Sequence, residues 1–129
     1  MNSWYEFLKK RDWYRGIFFL GIPAAATIDD LPNEATDDTI TLKWSEPQDN
    51  GKPITQYTVY QRIVTDGKPG EWIKLNTITD VSVRELKVAL ESGKVYQFVV
   101  TATNKIGESL KENRKIATVK ASQSMFYVV

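Results

Sequence analysis

Five carboxylates, Asp29, Asp30, Glu34, Asp37 and Asp38, crowd into residues 29–38 and come nearest to a ligand set anywhere in this 129-residue chain. Ca2+ would need roughly six to eight oxygen ligands, which dedicated loops supply at fixed alternate positions. That spacing is missing, so no metal is expected. Most of the common catalytic constellations are closed off by composition. Without a single His or Cys, the chain cannot provide a thiolate nucleophile, a Cys/His zinc site, a Ser–His pair or an imidazole base. No catalytic residue and no cofactor is expected, which leaves the functions that need only a shaped surface.

Composition narrows the partner as well. The chain is 42% apolar and 26% charged with a formal net charge of +1, which speaks against both disorder and nucleic-acid binding. A protein partner is the expectation. The length suits one domain with a single core. The lack of disulfides leaves the compartment open. None of the asparagines opens an Asn-x-Ser/Thr acceptor, so nothing in the sequence demands a secretory route.

The elements that would carry such a surface follow from hydrophobic period. From Ala24 onward the chain alternates with period two. Ala24–Asp30 is expected as a first strand, ended by Pro32 and an acidic turn over 34–38. Ile40, Leu42 and Trp44 alternate with polar residues up to Pro47. The polar stretch 48–53 holds Asn-Gly and a proline, a turn signal, before Ile54, Tyr57 and Val59 resume an apolar face. Another turn over 65–70 precedes a short strand around Trp72. Leu86, Val88 and Leu90 alternate next, then a glycine turn at Gly93, then a strand in which Tyr96, Phe98, Val100 and Ala102 face one way. Residues 116–120 make the last strand. Seven short strands at this spacing predict an all-β sandwich.

Several of these residues also stand at offsets that resemble the fibronectin type III family over about residues 24–119. They are Trp44, Pro47, the run Pro53-Ile54-x-x-Tyr57-x-Val59, Trp72, and Leu90-x-x-Gly93-x-x-Tyr96-x-Phe98-x-Val100-x-Ala102-x-Asn104-x-x-Gly107-x-Ser109. The resemblance implies a seven-stranded immunoglobulin-like β-sandwich at 24–120, an N-terminal extension at 1–23 and a tail at 121–129. Trp44, Tyr57, Trp72, Leu90, Tyr96 and Phe98 are then core residues. Tyr96, just past a glycine turn, is placed for a tyrosine corner whose hydroxyl bonds backbone upstream. Gly93 and Gly107 are expected in left-handed turns.

In such a sandwich the loops 47–53 and 104–109 share one end. Asp49, Asn50, Lys52, Asn104, Lys105 and Glu108 are therefore the candidate partner-binding residues, weighed against plain solvated turns. Tyr60, with Arg62, Val99 and Thr101, is expected to point outward from the sheet that holds Tyr57 and Tyr96, as a second docking face. The 104–109 loop lacks the Arg-Gly-Asp tripeptide of adhesive family members, and neither the cysteines nor the paired Trp-Ser motif of cytokine-receptor relatives is present.

The first 22 residues differ in character. They hold seven of the fifteen aromatics and four basic residues (Lys9, Lys10, Arg11, Arg15) against two acidic ones (Glu6, Asp12). Ser3 and Glu6 fit a capping box for a short helix over about 4–14. Basic residues, an apolar run and Ala24-Ala25-Ala26 also resemble the zones of a secretory signal. The segment thus reads either as a leader or as a retained helix packed on the sandwich or on another copy, which would make it a route to self-association. The resemblance implies a non-catalytic interaction or spacer module of a cell-surface or extracellular receptor or adhesion protein. The alternatives are a module of a cytoplasmic sarcomeric scaffold, which the 47–54 loop also resembles, and an accessory module of a larger enzyme such as a receptor phosphatase, kinase or carbohydrate-active enzyme.

Overall fold

The computed structural model describes residues 21–111 and 116–123. The expected helix over 4–14 and most of the leader-like segment lie outside these residues. Eight strands run in the order β1 (Glu34–Ala35), β2 (Thr39–Lys43), β3 (Ile54–Thr65), β4 (Lys68–Pro69), β5 (Ile73–Ile78), β6 (Glu85–Ala89), β7 (Val95–Asn104) and β8 (Ala117–Ala121). The larger sheet has the order β1-β8-β7-β3-β4, with β5 also paired to β3; β2 and β6 form the smaller one. This is the all-β, immunoglobulin-like sandwich that the alternation predicts. β4 and β5 lie along the same edge of β3, β4 against Val64–Thr65 and β5 against Tyr57–Gln61. They therefore act as one edge strand broken at residues 70–72, so the eight strands occupy seven positions in the sandwich.

The core forms because the inward positions of both sheets are apolar. Leu42 of the small sheet and Tyr57, Val59, Phe98, Val100, Ala102 and Val119 of the large one are all 0% exposed. Each large side chain among them contributes about 1.5–3 kcal/mol by leaving water. Trp44 is buried and meets Tyr57 edge-on, ring centroids 5.7 Å apart. Tyr96 stacks near Phe98, and its hydroxyl accepts the Glu91 backbone N–H at 2.7 Å. That bond makes the tyrosine corner between β6 and β7. The two-residue link from β3 to β4 is Asp66-Gly67, both at positive φ (52° and 78°), the backbone that closes a tight hairpin without splaying its strands.

Four local expectations are corrected. Ala24–Asp30 is not a continuous strand. Ala26 bridges Val100 in the large sheet and Ile28 bridges Trp44 in the small one, so the segment crosses from one sheet to the other and cannot form one regular ladder. The acidic turn instead begins with β1, which runs parallel to β8 in the register Glu34↔Lys120 and Ala35↔Ala121. Trp72 is not a core residue. It precedes β5 in the break of the edge strand and is half-buried, with the Arg62 guanidinium 4.1 Å above its ring. Gly93 has a positive φ of 82°, whereas Gly107 is not in the left-handed region. The Asn104 side chain shapes that turn instead, because its Oδ1 accepts the N–H groups of Ile106 and Gly107 at 2.8 and 3.1 Å. A Cβ on Gly107 would meet Ile22 at 3.3 Å, so close packing explains the glycine.

Candidate interaction surface

The loops 47–53 and 104–109 do meet at one end of the sandwich, and what joins them is the chain coming in. Asn104 is 4% exposed. Its Nδ2 donates to the carbonyl of Gly21, and lies 3.2 and 3.3 Å from the carbonyls of Asp49 and Lys52. Asn50 Nδ2 donates to the Ile22 carbonyl at 2.8 Å, and the Ala24 N–H to the Gln48 carbonyl at 2.9 Å. Asp49 Oδ1 accepts the Gly51 N–H at 2.9 Å, which holds the turn. Residues 21–24 therefore lie between the two loops. Gly21 is required there, since a Cβ at that position would sit 2.7 Å from the Ile106 side chain.

This changes the standing of the candidate residues. Asn104 is buried and its carboxamide is committed to the chain itself, so it is not a surface contact. Asn50 and Asp49 also act within the clamp. Lys52 and Lys105 are exposed beside it, as is Ile106 at 54%. Sequence reasoning did not single out Gly21, Ile22 or Ile106. The available signal was a glycine next to Ile-Pro at the point where the period changes.

The second candidate face is turned outward as expected but is closed. Tyr60, Val99 and Thr101 are 6%, 1% and 0% exposed, which corrects the expectation of an exposed Tyr and Val. Glu108 folds onto this face. Tyr60 Oη and Thr101 Oγ1 donate to the same carboxylate oxygen of Glu108 at 2.5 and 2.6 Å, and Lys111 Nζ lies 4.7 Å from the Tyr60 ring centroid. Burial pushes the Glu108 carboxyl up, but the two donated bonds and the charges of Lys111 and Lys74 outweigh it, and the net shift is downward. Tyr60 goes the other way, to about 12, through burial and through its bond to Glu108.

Beside this cluster a polar row crosses the sheet. Arg62 Nε donates to Gln97 Oε1 at 2.8 Å, and Gln97 Nε2 to Thr118 Oγ1 at 3.3 Å. The row ends where Arg62 covers Trp72, a cation–π contact on the outer face. Among the described residues no three His, Cys, Asp or Glu side chains gather to hold a metal ion. The arrangement can hold surfaces and fix chain directions.

Two packed antiparallel-rich sheets, a buried Trp between them and a tyrosine corner define an immunoglobulin-like module. The sequence pattern of the fibronectin type III domain matches residues 30–119, and the chain belongs to that family, whose members are in general non-catalytic modules. Among curated proteins it is 35% identical to the titin homolog of Caenorhabditis elegans over 96 residues, covering 73% of this chain and 0% of that protein after rounding. It is 38% identical over 81 residues to Contactin-5 of Gallus gallus, covering 60% of this chain and 8% of that one. The chain thus spans a small fraction of either relative. A solved structure of the twitchin kinase region from C. elegans superposes with a TM-score of 0.59 at 24% identity, covering 80% of this chain and 17% of that one, a likeness of fold.

Proposed function

We propose that this module is a non-catalytic, in-line spacer and protein-interaction unit of a longer cell-surface or extracellular protein. One observation carries the spacer reading: the chain comes in at one end and leaves at the other, tied at both. Gly21 is held beside Asn104 at the C-terminal end of β7. At the other end, Gly93 N–H donates to the Ala121 carbonyl and Ala121 N–H to the Lys94 carbonyl, both at 2.8 Å, and Ser92 Oγ to the Ser122 carbonyl at 3.2 Å. The ten residues of β7 separate these ends by about 30 Å at ~3.3 Å per residue. The parallel β1–β8 pair is oriented so that opposed pulls on the two ends would load its hydrogen bonds together, including Lys120 N–H to the Asn33 carbonyl and Ser122 N–H to the Ala35 carbonyl.

Stretching the full chain between handles at its two ends tests this reading. A single cooperative rupture is expected; gradual yielding at low force would refute it. Contactin-5 supports the cell-surface parent. The longer match to the titin homolog favours the second reading, a module of a sarcomeric or cytoskeletal scaffold. Residues 1–30 fused to a secretion reporter separate the two: export with cleavage near Ala26 supports the first, and retention with an intact N-terminus the second.

A further inference from the structure

A sandwich buries the facing sides of its sheets, and the opposite face of a sheet ordinarily meets water. On the outer face of β3 and β7 it does not. Thr58, Tyr60, Val99 and Thr101 are 2%, 6%, 1% and 0% exposed, yet none belongs to the cluster between the sheets. They form one patch, because Tyr60 pairs with Val99 and Thr58 with Thr101 across the ladder. Glu108 and Lys111 reach Tyr60 and Thr101. Those contacts go to Tyr60 and Thr101, so they do not account for the burial of Val99, a β-branched apolar side chain at the centre of the patch that calls for an apolar cover.

The position of Gly21 indicates the source of that cover. Its carbonyl is fixed by Asn104, and a Cβ at this position would meet the Ile106 side chain. Thr101 and Val99 lie three and five residues back along β7 from Asn104, about 10 and 17 Å at ~3.3 Å per residue. The residues before Gly21 are enough to span that distance, and they carry seven of the fifteen aromatics in the chain and a basic excess. The patch offers an apolar centre bordered by the Glu108 carboxylate, so both the apolar and the charged character of the segment are matched.

We propose that the outer face of β3 and β7 is an intramolecular docking surface for residues 1–20. The clamp at Gly21 launches the segment at the edge of the patch, and its aromatics cover Val99. The inference is independent of which parent protein carries the module. It also assigns the self-association route suggested by these aromatics to contact within one chain.

The test uses the full chain. Because it contains no Cys, Ser3→Cys takes a single nitroxide label, and Arg11→Cys provides a second, independent position. In uniformly 15N-labelled protein, the amide signals of Val99 and Thr101 are expected to broaden selectively relative to those of β6 in the opposite sheet, and to recover on reduction with ascorbate. A mixture of spin-labelled 14N chain and unlabelled 15N chain is expected to show no such broadening. Unaffected Val99 and Thr101 signals with both label positions would overturn the proposal. So would equal broadening in the mixed sample, which would make the occupant a second copy.

Discussion

Asn104→Ala tests the clamp on the incoming chain most directly. The side chain is 4% exposed, so its bonds cannot simply be handed to water. Its Nδ2 carries two hydrogens shared among the carbonyls of Gly21, Asp49 and Lys52, and its Oδ1 accepts two backbone N–H groups. At most four bonds disappear at ~1 kcal/mol each, and some of the freed loop groups regain solvent, so the expected loss is about 2–4 kcal/mol. With a urea slope of ~1.5 kcal/mol/M, the unfolding midpoint drops by about 1.3–2.7 M. Asn104→Asp keeps the acceptor but sets a carboxylate against three carbonyls, and should cost at least as much. A local readout distinguishes the clamp from general damage. The Ala24 amide, bonded to the Gln48 carbonyl at 2.9 Å, should exchange its proton faster than amides at the centre of β7. An unchanged midpoint together with unchanged Ala24 exchange would refute the reasoning.

Tyr96→Phe retains the ring but orphans the Glu91 N–H, so a loss of about 1–3 kcal/mol is expected in the same denaturation assay. Phe98→Ala, at a fully buried position, should cost about 3–5 kcal/mol, whereas Trp72→Ala, outside the core, should cost clearly less when the two midpoints are compared. Glu108 contributes stability that is present above its ordinary value of 4.5 and lost as pH falls through its lower folded value. Glu108→Gln should therefore destabilise at neutral pH, and the gap to the parent chain should narrow in acid. Tyr60, raised from 10.0 to about 12, gives the opposite limb: stability present below pH 10 falls between pH 10 and about 12, and Tyr60→Phe should flatten that fall in pH-dependent thermal melts.

The parts of this fold legible in the sequence are those where one residue type answers one local demand. Alternation placed Tyr96, Phe98, Val100 and Ala102 on the inner face because strand geometry forces a period of two. The polar stretch 65–70 marked a turn, and within it Asp66 and Gly67 take the left-handed backbone that the hairpin needs. The misreadings arose where long-range partners decide. Trp72 looks like a core residue by type, but the break in the edge strand turns it outward under Arg62, ten positions earlier in the chain, and nothing in its own neighbourhood signals that. Gly107 looks like a left-handed turn glycine, whereas its small size serves Ile22, eighty-five positions earlier in the chain. Asn104 reads as a solvated loop residue because no local pattern reveals that the chain at Gly21 passes beside it.

The position of the clamp restricts where a partner can bind. The end that carries the two loops is occupied by the chain itself, and the outer face of β3 and β7 is closed. Backbone pairing at the sheet edges is also discouraged. β6 presents Glu85 and Lys87, and β5 presents Lys74, charges that oppose the addition of a further strand. The side chains left exposed around these closed regions include Lys52, Lys105 and Ile106 at the rim of the clamp, Leu110 at 62% exposure, and Ile73 at 59% on the far edge. Ile73 lies beside the break that turns Trp72 outward. The irregularity of that edge strand therefore creates both an apolar contact and a cation–π pair on a surface that a regular strand would have left as a plain pairing edge.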